Sequence, residues 1–147
     1  MMNLQGKKVL VITTTHMYLE KDTILELEND METSVGRMKD ALVQGFCMAG
    51  SPCEEERKMG PLSDHVTEQI LPAADVVLVE ADGSKRLPAK AHETWEPVLP
   101  PQRTRTICVV GASAFGQPIR QAAHRPAIFA RLAGVGWGSV ITPEMVA

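Results

Sequence analysis

With 147 residues, 44% of them hydrophobic, and a net charge of −3, the chain has the length of one domain and enough apolar material to build a core. That balance excludes a disordered polyelectrolyte, and without a strongly basic composition nucleic acid is not expected as a partner. No run of 18 apolar residues and no charged-then-apolar leader occurs, so the expectation is a cytoplasmic chain that does not enter a membrane.

In chain order, Val9-Leu10-Val11-Ile12 is a continuous apolar run that stops at Thr13-Thr14-Thr15-His16. Continuous β-branched runs suit strands covered on both faces, as in parallel sheets. The three threonines either prolong the strand or turn hydroxyls toward a phosphate or hydrated metal at its carboxyl end. A short strand is expected near Ile24 to Leu27. Met31, Val35, Met38 and Leu42 recur at helical spacing, with Asn29 or Asp30 as cap, which predicts a helix over 31–43. A short strand over Gly45 to Ala49 follows, then a loop or hairpin edge at Glu54 to Lys58. Ser63 caps a short helix that ends before Pro72.

The organising stretch is Val76 to Arg86. Here Val76-Val77-Leu78-Val79 gives way at once to Glu80-Ala81-Asp82-Gly83-Ser84-Lys85-Arg86. Open α/β sheets bind ligands beyond the carboxyl ends of their strands, so two carboxylates, a hydroxyl and two cations at that position are a candidate site. Regular alternation would place Glu80 and Asp82 on the same side of the strand. A long proline-bearing loop over Leu87 to Pro101 comes next. A third buried strand is expected over Ile107 to Val110, ending in Gly111-Ala112-Ser113. His124-Arg125-Pro126 opens a helix whose buried side is Ile128, Phe129 and Leu132. Val140-Ile141 reads as a last strand, and Thr142-Pro143-Glu144 as a helix start of which roughly one turn remains before Ala147. The alternation of strands and helices defines the fold class as α/β: a three-layer, mostly parallel sheet in a single domain over 1–147.

Cys47, Cys53 and Cys108 show neither CxxC nor His/Cys metal spacing, so structural zinc is not expected. Cys108, inside an apolar run, reads as core; Cys47 and Cys53 read as nearer the surface.

Four segments together resemble the YqeC family, selenium-dependent hydroxylase accessory proteins. They are Lys8 through Met17; Asp75 through Lys85 with Leu87-Pro88-Ala89-Lys90 and Glu96-Pro97-Val98-Leu99-Pro100; Val109-Val110-Gly111 with Gly116-Gln117-Pro118; and His124-Arg125-Pro126 with Ile141-Thr142-Pro143-Glu144. The most specific of these is Glu-Ala-Asp-Gly-Ser-Lys with its downstream Glu-Pro-Val-Leu-Pro. The resemblance implies a P-loop-NTPase-like fold and a role in maturing the selenium-containing cofactor of molybdenum hydroxylases. It implies Mg2+ with ATP or GTP as cofactors, and a molybdenum hydroxylase or other maturation factors as partners. Asp82 or Glu80 would be the Walker-B-like catalytic and metal-binding acid. Thr13, Thr14, Thr15, Gly83, Ser84, Lys85 and Arg125 would meet the nucleotide or another anion; His124 and Arg125 would otherwise simply begin their helix.

Two departures from the family pattern stand out. No GxxxxGK[ST] phosphate loop occurs in these residues, and Met1 to Gly6 look like the tail of the helix that would follow one. Thr94-Trp95 precede Glu96-Pro97, where the family tends to have histidine; His92 is displaced from that place. The expectation is therefore an NTP-binding fold without its phosphate cradle. Such a chain is inactive alone, and dimerisation would cover a strand edge left unpaired. A non-catalytic partner-binding module and a metal-dependent phosphotransfer enzyme are the alternatives.

Overall fold

A computed structural model describes residues 4–146. They form two compact units that divide between Ala81 and Asp82, a division that the expectation of one domain over 1–147 did not name. Of the proposed N-terminal helix tail, Met1 to Asn3 lie outside the described residues, and Leu4 to Gly6 form a turn rather than a helix.

The first unit is a sheet backed by two helices. Its strands are β1 (Val9–Thr13), β2 (Met17–Tyr18), β3 (Ile24–Leu25), β4 (Phe46–Pro52), β5 (Lys58–Gly60) and β6 (Val76–Glu80). The order along the sheet is β2-β5-β4-β1-β6, with β3 also paired to β4. Pairings of β1 with β4, β1 with β6, and β3 with β4 are parallel, whereas β5 runs antiparallel to both β4 and β2. The sheet is thus mixed and mostly parallel.

Helix α1 (Met31–Val43) starts where Asp30 accepts the Thr33 N–H at 3.0 Å. Those hydrogen bonds hold the Asp30 carboxyl below its ordinary range. Its apolar stripe, Val35, Met38 and Leu42, packs with Val66 and Ile70 of α2 (Asp64–Ile70) onto Leu10, Ile12, Cys47 and Ala49. Truncating Met38 or Leu42 to alanine in such a core costs about 2–5 kcal/mol. Glu26 is buried at 5% exposure. It accepts from Ser51 Oγ at 2.8 Å and from Ser63 N and Oγ at 2.9 and 2.5 Å, which ties β4 to the cap of α2. Burial by itself would raise the Glu26 carboxyl, but the bonds from Ser63 and Ser51 outweigh it and leave it lowered. At Gly50 any Cβ would come within 2.7 Å of Gly60 O and Met59 Sδ, so β4 and β5 close only around glycine.

Two sequence expectations are corrected here. The run Val76 to Val79 was read as buried on both faces, yet every residue of β6 is only partly buried or exposed, Leu78 at 41%. The reason is position: β6 is the last strand in the sheet order, and its Val77 and Val79 pack on the core while the alternate residues do not. Cys47, read as nearer the surface, is 2% exposed, and burial pushes its thiol up to about 11.

The second unit is built on small residues. Strands β7 (Ala89–Lys90) and β8 (Ala123–His124) pair in parallel, with Lys90 opposite His124. Short helix α3 (Ile119–Ala122) and helix α4 (Pro126–Ala133) pack over them through Ala89, Ala91, Ala114, Ile119, Phe129 and Ala130, joined by Ile141. Leu132, expected on the buried side of α4, is 71% exposed; the small Ala130 takes the inward position instead. The strand expected over Ile107 to Val110 does not form. Ile107 and Val109 are 77% and 84% exposed, and Cys108, read as core, is exposed too. A β-branched run becomes a strand only where a neighbour offers a ladder and a face to pack on, and among the described residues it has none. Val140-Ile141 makes single bridges to Pro118 and Phe115 in place of a strand, and Pro143–Met145 forms one 3₁₀ turn.

Candidate functional site

In the first unit the parallel register of β1 and β6 sets Thr13 opposite Glu80. Both hydroxyls of the Thr-x-Thr end converge on one carboxylate oxygen: Thr13 Oγ1 donates to Glu80 Oε2 at 2.8 Å and Thr15 Oγ1 at 2.6 Å. The corner is closed by the backbone, with Thr14 N–H donating to Glu80 O and Thr15 N–H to Thr13 Oγ1, each at 3.0 Å. Thr13 is 2% exposed. The other carboxylate oxygen, Oε1, has no partner among the described residues. β6 ends at Glu80, so strand alternation does not extend to Asp82 and cannot carry the expectation that these two acids share one side.

The polar constellation of the second unit is a chain of charges. Lys90, its side chain only 6% exposed, donates to Asp82 Oδ1, to Gly83 O at 2.9 Å and to Glu96 Oε1 at 3.0 Å. Asp82 Oδ2 meets His92 Nε2 at 2.6 Å. Arg125 grips Glu96 with a two-pronged fork, Nε to Oε2 at 2.9 Å and Nη2 to Oε1 at 2.8 Å. The Glu93 N–H adds a bond to Oε2 at 3.1 Å. Bonds from Arg125 above all, then from Lys90 and the Glu93 amide, hold the Glu96 carboxyl far below the usual carboxylate range, while Glu96 in turn raises Arg125. His124, opposite Lys90, has its buried Nδ1 without a partner among the described residues, and burial together with Lys90, Arg125 and Lys85 holds it toward the neutral form.

Of the residues singled out in sequence, Thr13, Thr14 and Thr15 meet Glu80, and Gly83 gives its carbonyl to Lys90. Ser84 accepts from Leu87 N–H at 3.0 Å in a turn whose central residues, Lys85 and Arg86, both have positive φ, at 53° and 61°. Two adjacent non-glycine residues in that region each cost of order 1–2 kcal/mol. Arg125, read as an anion ligand, is engaged by Glu96 and also sits at φ 61°. Lys90, Glu96 and His92 were not among the proposed site residues. The signal for the first and last lies in Ala89-Lys90-Ala91-His92: alternation buries both alanines and sends lysine and histidine to the same carboxylate.

These features define a mixed α/β protein whose mostly parallel sheet carries a hydroxyl-bound carboxylate at the carboxyl ends of adjacent strands. Residues 1–127 match the family described as YqeC protein, and the chain belongs to that family. It is 26% identical over 134 residues to a protein of Escherichia coli (strain K12) named Uncharacterized protein YqeC. That alignment takes in 88% of this chain and 52% of the relative, so the chain spans about half the length of the curated relative it matches. No solved structure matches it. No helix among the described residues is long and apolar enough to cross a membrane.

Proposed function

We propose that this chain is the acid-bearing part of a nucleotide-binding accessory protein with a P-loop-NTPase-like fold. Membership of the YqeC family supports its action in maturing the selenium-containing cofactor of molybdenum hydroxylases, with a hydroxylase or another maturation factor as partner. The single observation that carries the nucleotide reading is the Glu80 corner, where the Thr13 and Thr15 hydroxyls fix one carboxylate oxygen at the carboxyl end of adjacent parallel strands.

The donor set fits magnesium. It offers hard oxygens only, and magnesium bound to nucleotides uses one or two carboxylates with waters and phosphates rather than a cage of protein ligands. Glu80 Oε1 would hold a magnesium-bound water, with the Thr13 and Thr15 hydroxyls fixing the carboxylate so that it does not reorganise. Magnesium, when bound, offsets charge on the phosphates of ATP or GTP. Asp82 is given no metal role in this reading, because Lys90 and His92 occupy its two oxygens.

Calorimetry with magnesium-ATP and magnesium-GTP tests the reading, on this chain and on a version preceded by a glycine-rich Gly-Lys-Thr segment. Binding by the extended version that Glu80→Gln weakens at least about tenfold supports it. Binding indifferent to Glu80→Gln overturns the assigned role. The maturation role is tested by deleting the gene in its host: selenium content of the purified molybdenum hydroxylase should fall, and an unchanged content rejects that role.

A further inference from the structure

His124 on β8 lies directly opposite Lys90 of β7, and its main-chain oxygen accepts the Ala91 N–H at 3.1 Å, so it belongs to the ladder that joins the two strands. Its Nδ1 is shut off from solvent and meets no hydrogen-bonding group among the described residues. A neutral ring tolerates this, because the buried nitrogen then carries only a lone pair. A protonated ring does not: both nitrogens carry a proton, and Nδ1 becomes a charged donor without an acceptor. The surroundings oppose that proton too. Lys90, its side chain 6% exposed, faces His124 from β7, Arg125 follows it in the chain, and Lys85 acts on it from the Ser84–Leu87 turn. Negative charge comes from Glu96, and through the same network from Asp82 and Glu93. Those carboxylates are already engaged. Asp82 is held by Lys90 and His92, Glu96 by Arg125, Lys90 and the Glu93 amide, and Glu93 lies 3.9 Å from Arg125. Asp82, Glu93 and Glu96 thus already face Lys85, Lys90 and Arg125, and a charged His124 would add an unmatched positive charge.

We propose that His124 is an acid sensor built into the second unit: its protonation breaks the β7–β8 pairing and loosens the Lys90–Asp82–Glu96–Arg125 network, while the first unit keeps its fold. Burial first, then Lys90, Arg125 and Lys85, hold the ring below its ordinary 6.5, so the folded unit takes up the proton less readily than the unfolded one. The stability that His124 contributes is therefore fully present above that ordinary value and is lost as pH falls through the lower folded value. Glu96 does not act in this window, since its carboxyl is held far below the ordinary 4.5. The switch is independent of nucleotide binding at Glu80.

Amide hydrogen exchange of the full chain, followed residue by residue by NMR and corrected for the intrinsic pH dependence of exchange, tests the switch. Between about pH 7.5 and about pH 5.5 the Ala91 amide, which donates to His124 O, should lose protection at least about tenfold, while the amides of α1 keep theirs. His124→Gln, which cannot take up the proton, should show no such loss. Unchanged Ala91 protection in the wild type, an equal loss in His124→Gln, or an equal loss throughout α1 overturns the proposal. Lys85→Gln decides the matter should His124→Gln not fold, since Lys85 is exposed and its removal opens no core. Taking away one of the cations that oppose the charged ring should shrink the loss at Ala91, and an undiminished loss would count against the sensor. His92→Gln removes the other imidazole of the second unit and should leave the loss in place; its disappearance in that variant would assign the response to His92 and reject His124.

Discussion

Glu80 and Asp82 are separated by one residue and live in different electrostatic worlds. Glu80 is met by two neutral hydroxyls, which fix its position without cancelling its charge. Asp82 is met by a lysine and a histidine, and Glu96 by the same lysine and an arginine fork. A carboxylate bonded to hydroxyls keeps its capacity for an external cation, whereas one satisfied by internal cations is committed to holding the fold or orienting a neighbour. Chemical identity alone would rank the two acids equally; their partners separate a carboxylate held by neutral hydroxyls from one held by internal cations.

The sharpest way to break this contrast is Lys90→Met. It leaves Asp82 and Glu96 facing each other's charge with the buried cation gone, and removing one partner of such a pair costs about 3–5 kcal/mol. Urea unfolding should show it as a large fall in midpoint. Arg125→Lys keeps the charge but loses the fork, and should cost about 1–2 kcal/mol in the same measurement.

The Glu96 pair also has a pH signature. Its folded-state carboxyl is depressed below the ordinary 4.5, chiefly by Arg125, so it contributes stability that is fully present above that value and is lost as pH falls through the lower folded value. The stability gap between the wild type and Glu96→Gln should therefore narrow as pH drops from about 6 to about 3; a constant gap would contradict the pairing. The smallest expected effect on stability is that of Glu80→Gln, less than about 1 kcal/mol, since the amide oxygen still accepts from Thr13 and Thr15. A thermal melt showing a loss comparable to that of Lys90→Met would mean that Glu80 is structural as well, and the contrast would collapse.

The first unit was largely legible in sequence. The apolar runs gave β1 and β6, the spacing of Met31, Val35, Met38 and Leu42 gave α1, and Ser63 gave the start of α2, because each depends on local pattern and capping. The second unit was not. Its core is mostly alanines, which carry no periodic signal, and the Ile107 to Val110 run has strand composition without a strand's partner. The Thr-x-Thr pairing with Glu80 could be anticipated from two strand ends reading alike. The Lys90–Glu96–Arg125 network could not, since it joins residues across a proline-rich loop whose path no local rule predicts, and Arg125 was accordingly taken for an anion ligand.

The burial of Cys47 has a practical consequence. A silent thiol leaves the native chain with two addressable cysteines, Cys53 in one unit and Cys108 in the other. A donor and an acceptor fluorophore can be attached to them without engineering any residue. Energy transfer between the dyes would then follow the distance between the two units as nucleotide, magnesium or a partner is added.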